Sequence, residues 1–375
     1  MSSDWKYFSE PDAGSLGEWM REWRVSHPRA GVLALVAEQD RNAIETIQHL
    51  SIETNLPMVG AMFPELIADG VLRKRGVLLC SLDPMPSYRL LGNLDTEHLR
   101  KGAVESLRDM VLASPEEGTL TLVFDGMYGQ IASFLDALFY ALGGSCWYAG
   151  VNAGSETFQP MPCLFDAHQW IGKGVLALML PGIAGAELEH GYIIPEQALP
   201  ATAATGNKIV LIDWQPAFHK YAELIKTHYH EQVTRENFYS MGVHFPFALV
   251  RADGEVLIRI PVAVDDEGAL FCVGEVPDGA LLSVARAVQP GSTHTVKKLL
   301  EKYRARRAQR SLLFYCAGRR MHFPESARQE LALFAQEMGS QPVIGGLSLG
   351  EIANSPAGGY PLFHNATLMV MPLKS

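Results

Sequence analysis

The chain has few of the cysteine patterns that mark metal and redox proteins. Its five cysteines are scattered and odd in number, and no two of them form a Cys-x-x-Cys pair. This absence argues against a zinc ribbon, a thioredoxin-type site and covalently attached c-type haem. We therefore expect free thiols in a reducing cytoplasm.

Other features are also scarce. The sequence has no P-loop and no His-Glu-x-x-His helix. The net charge of −10 disfavours a nucleic-acid or anionic-membrane surface. The longest apolar run, residues 174–186, is interrupted by Pro181 and Gly182 and is too short to span a bilayer. The first residues lack a basic start followed by an apolar core, so we expect no signal peptide.

Length and composition indicate a folded protein of two domains. The chain has 375 residues, of which 48% are hydrophobic and 19% are charged. These values are typical of packed globular proteins and not of long disordered segments. A chain of this length exceeds one ordinary hydrophobic core.

One strand–helix–strand unit occurs three times, in residues 32–80, 120–180 and 312–371. Each copy has an apolar strand, a helix with one apolar face, a second short strand and a closing strand. The second short strand of each copy ends in small residues. A glycine at such a position lets another backbone or a ligand come close. The sequence therefore predicts layered sheets and helices built from repeated units.

Antiparallel hairpins are expected between the second and third copies. Asp253 and Gly254 separate two apolar runs, which is a strong hairpin signal. A second hairpin turns at residues 265–268. The predicted fold class is thus mixed α/β, with antiparallel hairpins in the second half and a domain boundary near residues 230–240.

Several motifs, taken in their order along the chain, resemble the FIST family (F-box and intracellular signal transduction). In the N-terminal half they are residues 57–60, 120–180, 189–192 and 206–217, and in the C-terminal half residues 316–319, 342–346, 350–351 and 364–367. The resemblance covers roughly residues 31–372. It implies an N-terminal extension (1–30), a FIST N-like domain (31–235) and a FIST C-like domain (236–375).

The resemblance also implies a function. FIST proteins are proposed to be cytoplasmic sensory modules that bind small ligands such as amino acids. Some relatives hold haem b without covalent attachment, sense nitric oxide and control a histidine kinase or a cyclic-di-GMP enzyme. The chain departs from the family pattern at residues 62–65 and 151–155. If relatives bind ligands at all three copies, these departures leave only the C-terminal site here.

Eight residues form the predicted ligand site: Cys316, Gly318, Arg319, Gly345, Gly346, Glu351, His364 and Asn365. Arg319 follows an apolar strand at its carboxyl end, where α/β folds bind ligands. Its guanidinium can hold a carboxylate at two points, and Glu351 can accept from an ammonium group. We hypothesise that these two charges bind the two ends of an amino acid. The alternative is a structural ion pair, for example between Arg319 and Glu351. Arg320 is expected at the surface.

Two further hypotheses concern chemistry. If haem is bound, His190, His364 or Cys316 is the predicted iron ligand. If the protein is an enzyme, Cys316 is the nucleophile and His364 its base. The alternative for each histidine is a structural hydrogen bond, and for Cys316 a small buried hydrophobe. Our leading hypothesis is a non-enzymatic cytoplasmic sensor that shifts between two arrangements and signals to a separate partner.

Overall fold

The computed structural model describes residues 4–182, 185–288, 293–304, 310–355 and 359–373. Its helices in these ranges are α1 (Ala13–Ser26), α2 (Ala43–Thr54), α3 (Glu97–Leu112), α4 (Ile131–Leu142), α5 (Ala217–Tyr229), α6 (Phe238–Gly242), α7 (His294–Arg304), α8 (Ala317–His322) and α9 (Pro324–Met338), with a 3-10 turn at Glu38–Asp40. Across the described residues, we find no helix with the length and apolar character needed to cross a membrane.

Three six-stranded sheets share one strand order. The first sheet contains β1 (Trp5–Phe8), β6 (Val77–Leu82), β2 (Gly31–Ala37), β3 (Met58–Phe63), β10 (Leu164–Asp166) and β11 (Trp170–Ile171). The second contains β7 (Tyr88–Leu91), β12 (Val175–Pro181), β8 (Gly118–Asp125), β9 (Trp147–Ala153), β25 (Glu351–Asn354) and β26 (Pro361–His364). The third contains β13 (Glu187–Glu189), β27 (Leu368–Leu373), β23 (Arg310–Cys316), β24 (Ile344–Ser348), β4 (Leu66–Ala68) and β5 (Val71–Arg73).

The pairing pattern of the three sheets is also the same. In each sheet the third and fourth strands are parallel, namely β2 with β3, β8 with β9 and β23 with β24. The other neighbours pair antiparallel. The mixed α/β fold and the threefold repeat predicted from the sequence are confirmed.

The three units exchange hairpins in a closed cycle. We define the first unit as β1 to β6, the second as β7 to β12 and the third as β13 together with the elements from α7 to β27. The β4–β5 hairpin of the first unit pairs with β24 of the third. The β10–β11 hairpin of the second unit pairs with β3 of the first, and the β25–β26 hairpin of the third pairs with β9 of the second. Each sheet is therefore completed by a neighbouring unit.

The first unit begins before the first predicted copy. Residues 5–26, predicted to lie in an N-terminal extension, form β1 and α1. Asp12 caps α1 by accepting from the backbone N–H groups of Gly14 and Ser15. The division of the chain into two FIST domains near residue 235 stays a prediction.

The inner faces of the three sheets meet in one apolar core. Leu35 of the first sheet, Val123 of the second and Phe314 of the third line the same small apolar cavity. Alternate residues of β23 point the other way, so that Leu313 and Tyr315 pack with α7 and α9. Helices α1 and α2 pack on the first sheet, and α3 and α4 on the second.

Each parallel pair has small residues in its second strand, namely β3, β9 or β24. These residues allow neighbouring backbones to approach closely. An added Cβ would lie within 2.4 Å of a carbonyl oxygen of the adjacent parallel strand at each of three equivalent positions, Gly60, Gly150 and Gly345. At Gly345 the distance to the oxygen of Leu313 would be 1.8 Å. The glycine of the predicted ligand site thus has a packing role.

An antiparallel module, residues 190–288, is inserted between β13 and α7 of the third unit. One of its sheets contains β14 (Leu199–Pro200), β22 (Leu281–Val284), β18 (Phe247–Val250) and β19 (Val256–Arg259). The other contains β15 (Ala203–Thr205), β16 (Lys208–Ile212), β21 (Leu270–Cys272) and β20 (Pro261–Val264), with β17 (Gln215–Pro216) on β16. The hairpins β18–β19 and β20–β21 confirm both predicted turns.

Candidate functional site

Arg319 lies at the start of α8, directly after β23, and is buried in a closed hydrogen-bond network. Its Nη2 donates to Glu330 at 2.6 Å and to Thr295 at 3.2 Å, and its Nε donates to the hydroxyl of Tyr315 at 3.1 Å. Nη1 donates to the carbonyl oxygen of His190. Tyr315 in turn donates to Glu330 at 2.6 Å. Arg319 therefore forms a structural ion pair with Glu330.

The ion-pair partner of Arg319 is not Glu351, the partner suggested from the sequence. Arg319 pairs with Glu330 of α9, and both side chains are more than nine-tenths buried. Glu351 instead accepts from two hydroxyls. Because most of the guanidinium N–H groups are already bonded, the geometry does not favour Arg319 and Glu351 as the two ends of an amino-acid site.

The backbone carbonyl of His190 accepts from Arg319. A hydrogen bond and burial fix the protonation state of the His190 ring. The backbone N–H of Tyr192 donates to Nδ1 of His190 at 2.9 Å. Burial lowers the pKa of His190 to about 4, so the ring is neutral near pH 7. Since Nδ1 accepts a hydrogen bond, the proton of the neutral ring lies on Nε2.

A small cavity next to Arg319 borders a larger cleft. The cavity has a volume of about 20 Å³, enough for one water molecule, and is lined by His190, Tyr192, Arg319 and Glu330. It shares Phe323 and other residues with a cleft of about 550 Å³. Together they run from the protein surface to the buried arginine.

The two walls of the cleft come from different parts of the chain. Met241, His244 and Arg286 of the antiparallel module form one wall, and His322 and Phe323 of the third unit belong to the other. We call this space the interunit cleft. Burial lowers the pKa of His244, and burial together with the charge of His244 lowers the pKa of His322. Both rings can therefore donate and accept hydrogen bonds as neutral groups.

Glu351 is fully buried behind the Arg319 network. Ser348 and Thr367 donate to its two carboxyl oxygens, the second at 2.6 Å. Burial raises the pKa of Glu351 to about 7, although the two hydroxyls and Arg319 act in the opposite direction. The carboxyl group is thus poised between its charged and neutral forms near physiological pH.

Ser348 has a sequence context that resembles a hydrolase motif. Residues 346–350 read Gly-Leu-Ser-Leu-Gly, which has the spacing of a nucleophile elbow. That motif requires an exposed serine between a strand and a helix. Ser348 is fully buried, it is the last residue of β24 and is followed by another strand rather than a helix, and its hydroxyl donates to Glu351. The structure therefore argues against a serine nucleophile.

The surroundings of Cys316 and His364 do not favour a nucleophile and base pair. Burial raises the pKa of Cys316 to about 12, which keeps the thiol protonated. Burial lowers the pKa of His364 to about 3, and within the described residues its Nδ1 has no hydrogen-bond partner. These features favour the small buried hydrophobe as the role of Cys316.

The predicted iron ligands do not fit a haem in this arrangement. At His190 the unprotonated nitrogen that would bind iron already accepts from Tyr192. His364 and Cys316 are more than nine-tenths buried in the packed interior. Among the described residues, no group of three or more His, Cys, Asp or Glu side chains is arranged to hold a metal ion.

The other predicted site residues support the loops around this region. Asn365 donates to the carbonyl oxygen of Val273 at 3.1 Å and so joins the end of β26 to the antiparallel module. Gly318 lies in α8. Gly345 and Gly346 lie under neighbouring backbone and side chains in β24. These contacts therefore give most of the predicted residues a structural role, and their part in ligand binding stays a prediction.

The first unit also has open strand ends. A polar cavity of about 470 Å³ lies after β2 and β3 and is lined by Glu38, Glu65 and Glu156, among others. Arg320 was expected at the surface, but its side chain is only 18% exposed and pairs with Glu65 at 3.0 Å and Glu156 at 2.6 Å. An open space at these strand ends is therefore not confined to the C-terminal copy.

Comparison with known domains finds two that together cover most of the chain. The chain matches the FIST N domain over residues 32–215 and the FIST C domain over residues 217–354. The protein belongs to the FIST family. FIST domains are consistent with a sensory or signal-transduction role. No curated protein gives a match to the chain.

Several residues of this FIST protein that line the interunit cleft were not predicted from its sequence. They are Met241, His244, Arg286, His322, Phe323 and Ser326. Glu330 was also missed, because it is one of several acidic residues along α9 and only its burial reveals its role. The neighbouring motif at residues 316–319 was the one signal that pointed to this region.

Proposed function

We propose that this FIST protein is a sensory module that binds a small organic molecule in the interunit cleft. The observation that carries the proposal is the cleft itself, which is about 550 Å³ in volume and shares lining residues with the cavity beside Arg319. Small-molecule sites typically have volumes of about 300–1,000 Å³ and combine apolar walls with a few polar groups. Phe245 and Phe323 supply apolar surface here, and His244, His322 and Arg286 supply polar groups.

The position of the cleft provides a route from binding to signalling. The ring of Tyr239 contacts that of His322 at 5.7 Å between centroids, and the ring of His244 contacts that of Phe323 at 4.8 Å. Both contacts join the antiparallel module to the third unit. A ligand that binds one arrangement of these walls more tightly shifts the population toward that arrangement. A separate partner protein then recognises the altered arrangement of the walls.

The proposed partner is a histidine kinase or a cyclic-di-GMP enzyme, and the proposed setting is the cytoplasm. The partner classes are those implied by the family resemblance. All five cysteines are free and buried in the structure, which agrees with a reducing compartment. The FIST domains support the general signalling role.

A thermal-shift screen with a pair of tryptophan variants tests the proposal. The panel contains free amino acids and small organic acids. Ser326→Trp fills the cleft, and Gln329→Trp places the same side chain on an exposed position of α9 outside the cleft. We expect at least one compound to raise the melting temperature of the native protein and of Gln329→Trp, but not of Ser326→Trp. Equal rises in all three proteins, or none, would contradict the proposal.

A further inference from the structure

A second groove lies on another part of the molecule. It has a volume of about 320 Å³ and separates the start of α4 from the antiparallel module and the β25–β26 hairpin. Its charged and aromatic lining residues include Asp136, Arg251, Arg259, Tyr360 and Phe363. None of the residues that line the groove also lines the interunit cleft. We call it the arginine groove.

Arg259 lies in this groove as a buried cation that, among the described residues, has no acidic side chain within ion-pair distance, although the charge of Glu275 acts on it from farther away. The residue is 2% exposed. Nε donates to the carbonyl oxygen of Glu275 at 2.8 Å, and Nη1 donates to those of Ile258 at 3.0 Å and Phe363 at 3.1 Å. In the described part of the chain, Nη2 has no hydrogen-bond partner and Arg259 forms no ion pair. Two N–H groups therefore remain for a ligand.

This arrangement is costly unless an anion completes it. A buried charge that lacks a counter-ion destabilises a protein relative to a paired one. Burial lowers the pKa of Arg259 only to about 10, so the group stays charged near pH 7. A carboxylate can bind a guanidinium through two parallel hydrogen bonds. The floor of the groove is therefore suited to a carboxylate or a similar oxyanion.

Arg251 provides a second cation at the rim. Its Nε is buried and has no hydrogen-bond partner in the described residues, and it lies 3.7 Å from Oδ2 of Asp253. Its guanidinium lies over the ring of Tyr360, 5.4 Å from the centroid. That stacking holds the side chain at the edge of the groove, with its charge only weakly paired.

The other charges of the groove decide which kind of anion fits. Asp136, Glu275 and Asp278 also line it, and each already accepts from a neutral donor: Asp136 from Tyr360, Glu275 from Ser133 and Asp278 from the backbone N–H of Ala204. Three nearby carboxylates repel a phosphate dianion more strongly than a monoanion. Apolar surface from Leu249, Leu257 and Phe363 suits an organic body.

We propose that the arginine groove binds a small organic monocarboxylate. Its carboxylate lies against Nη2 of Arg259, the charge of Arg251 at the rim adds to the attraction, and its apolar body packs on Leu257 and Phe363. The site goes beyond the proposed function, because it shares no lining residue with the interunit cleft. Its ligand also contacts three parts of the chain: α4, the antiparallel module and the exchanged hairpin of the third unit.

Isothermal titration of the full chain with benzoate tests this assignment. Benzamide serves as the neutral analogue of the same shape, and inorganic phosphate as the competing anion class. Arg259→Met also removes the donors of three buried carbonyls and can unfold the protein, so the test rests on rim variants. Arg251→Met removes the second cation, and Thr205→Trp fills the groove. The matched control is Val210→Trp, an exposed position outside the groove.

We expect benzoate to bind the native protein and Val210→Trp equally and at least tenfold more tightly than benzamide. Arg251→Met and Thr205→Trp should weaken benzoate binding at least tenfold, and Ser326→Trp in the interunit cleft should leave it unchanged. Benzoate binding that equals benzamide binding, or that survives both rim variants, overturns the proposal. Phosphate binding tighter than benzoate binding overturns the ligand class. Loss of benzoate binding in Ser326→Trp alone overturns the assignment of the groove.

Discussion

At the residue scale, hydrogen bonds and an ion pair compensate the buried charge of Arg319 almost completely. Removing one member of a buried, hydrogen-bonded ion pair leaves the other charge uncompensated, whereas an exposed pair contributes little. The Arg319–Glu330 pair is buried, and the Arg328–Glu325 pair on the surface of α9 is well exposed. The same helix thus offers both kinds of pair for comparison.

We expect Arg319→Met to lower the free energy of unfolding by about 3–5 kcal/mol, because Glu330 is left buried and unpaired. Arg328→Met should change it by less than about 1 kcal/mol. Urea unfolding followed by circular dichroism measures both values. The double variant Arg319→Met with Glu330→Gln should recover part of the loss. Equal losses in the two single variants would show that burial of the pair has no energetic importance.

Glu351 makes the stability of the protein depend on pH. Its pKa is raised from 4.5 to about 7 on folding. The stabilisation from its neutral form is fully present below about pH 4.5 and is lost as the pH rises through about 7. At about 1.36 kcal/mol for each pH unit, the loss is about 3 kcal/mol.

The test compares Glu351→Gln with the native protein in urea unfolding between pH 4.5 and 8. Glutamine keeps partners for Ser348 and Thr367 but does not titrate. We expect the native protein to lose about 3 kcal/mol relative to the variant over this range. The exposed Glu18→Gln should follow the native curve. Parallel curves for Glu351→Gln and the native protein would contradict the raised pKa.

The sequence located these residues better than it assigned their roles. Arg319 follows an apolar strand, and that context correctly placed it near the carboxyl end of β23. Its partner could not be predicted, because Glu330 lies eleven positions away on α9 and has no distinctive spacing. The partial burial of Arg320 was missed for the same reason. Pairing between distant segments depends on the packing of whole elements and leaves no local pattern.

At the scale of the elements, the close approach of the adjacent parallel strand explains why glycines occur in β3, β9 and β24. At Gly150 an added Cβ would lie 2.0 Å from the carbonyl oxygen of Leu122, while β25 pairs on the other side of β9. The strand is enclosed by backbone on both edges. The repeat itself was predictable because strands and helices leave periodic apolar patterns. The exchange was not, because a short hairpin has no signal for the sheet that it joins.

We expect Gly150→Ala and Gly345→Ala each to destabilise the protein by about 3 kcal/mol or more, since the new Cβ overlaps backbone that cannot move without distorting a sheet. Gly144→Ala is the control, because a Cβ there meets nothing within 4 Å. Differential scanning calorimetry should show a large fall in Tm for the first two and little change for the control. Similar Tm values for all three variants would contradict the crowding argument.

At the scale of the whole molecule, the cyclic exchange predicts cooperative unfolding. Each sheet contains strands from two units, so damage to one unit exposes strand edges of the next. Tryptophans report on this coupling because they lie in the first and second units and in the antiparallel module, at positions 5, 19, 23, 147, 170 and 214. The described third unit contains none.

Gly345→Ala in the third unit should therefore lower the urea midpoint of tryptophan fluorescence as much as that of far-ultraviolet circular dichroism. Coincident transitions are expected because the hairpin exchange links the units into one cooperative structure. Gly144→Ala should leave both midpoints unchanged. A fluorescence midpoint that stays at the native value, while circular dichroism separates into two steps, would show that the units unfold independently.

The central claim is that a small molecule binds between the antiparallel module and the third unit. Hydrogen–deuterium exchange on the full chain tests it most directly, with and without the panel compound that gives the largest thermal shift. We predict slower exchange in residues 239–245 and 322–326, with no such change in Ser326→Trp. Protection confined to residues 38–42 and 64–74 around the polar cavity of the first unit, or absent from both walls, would contradict the claim.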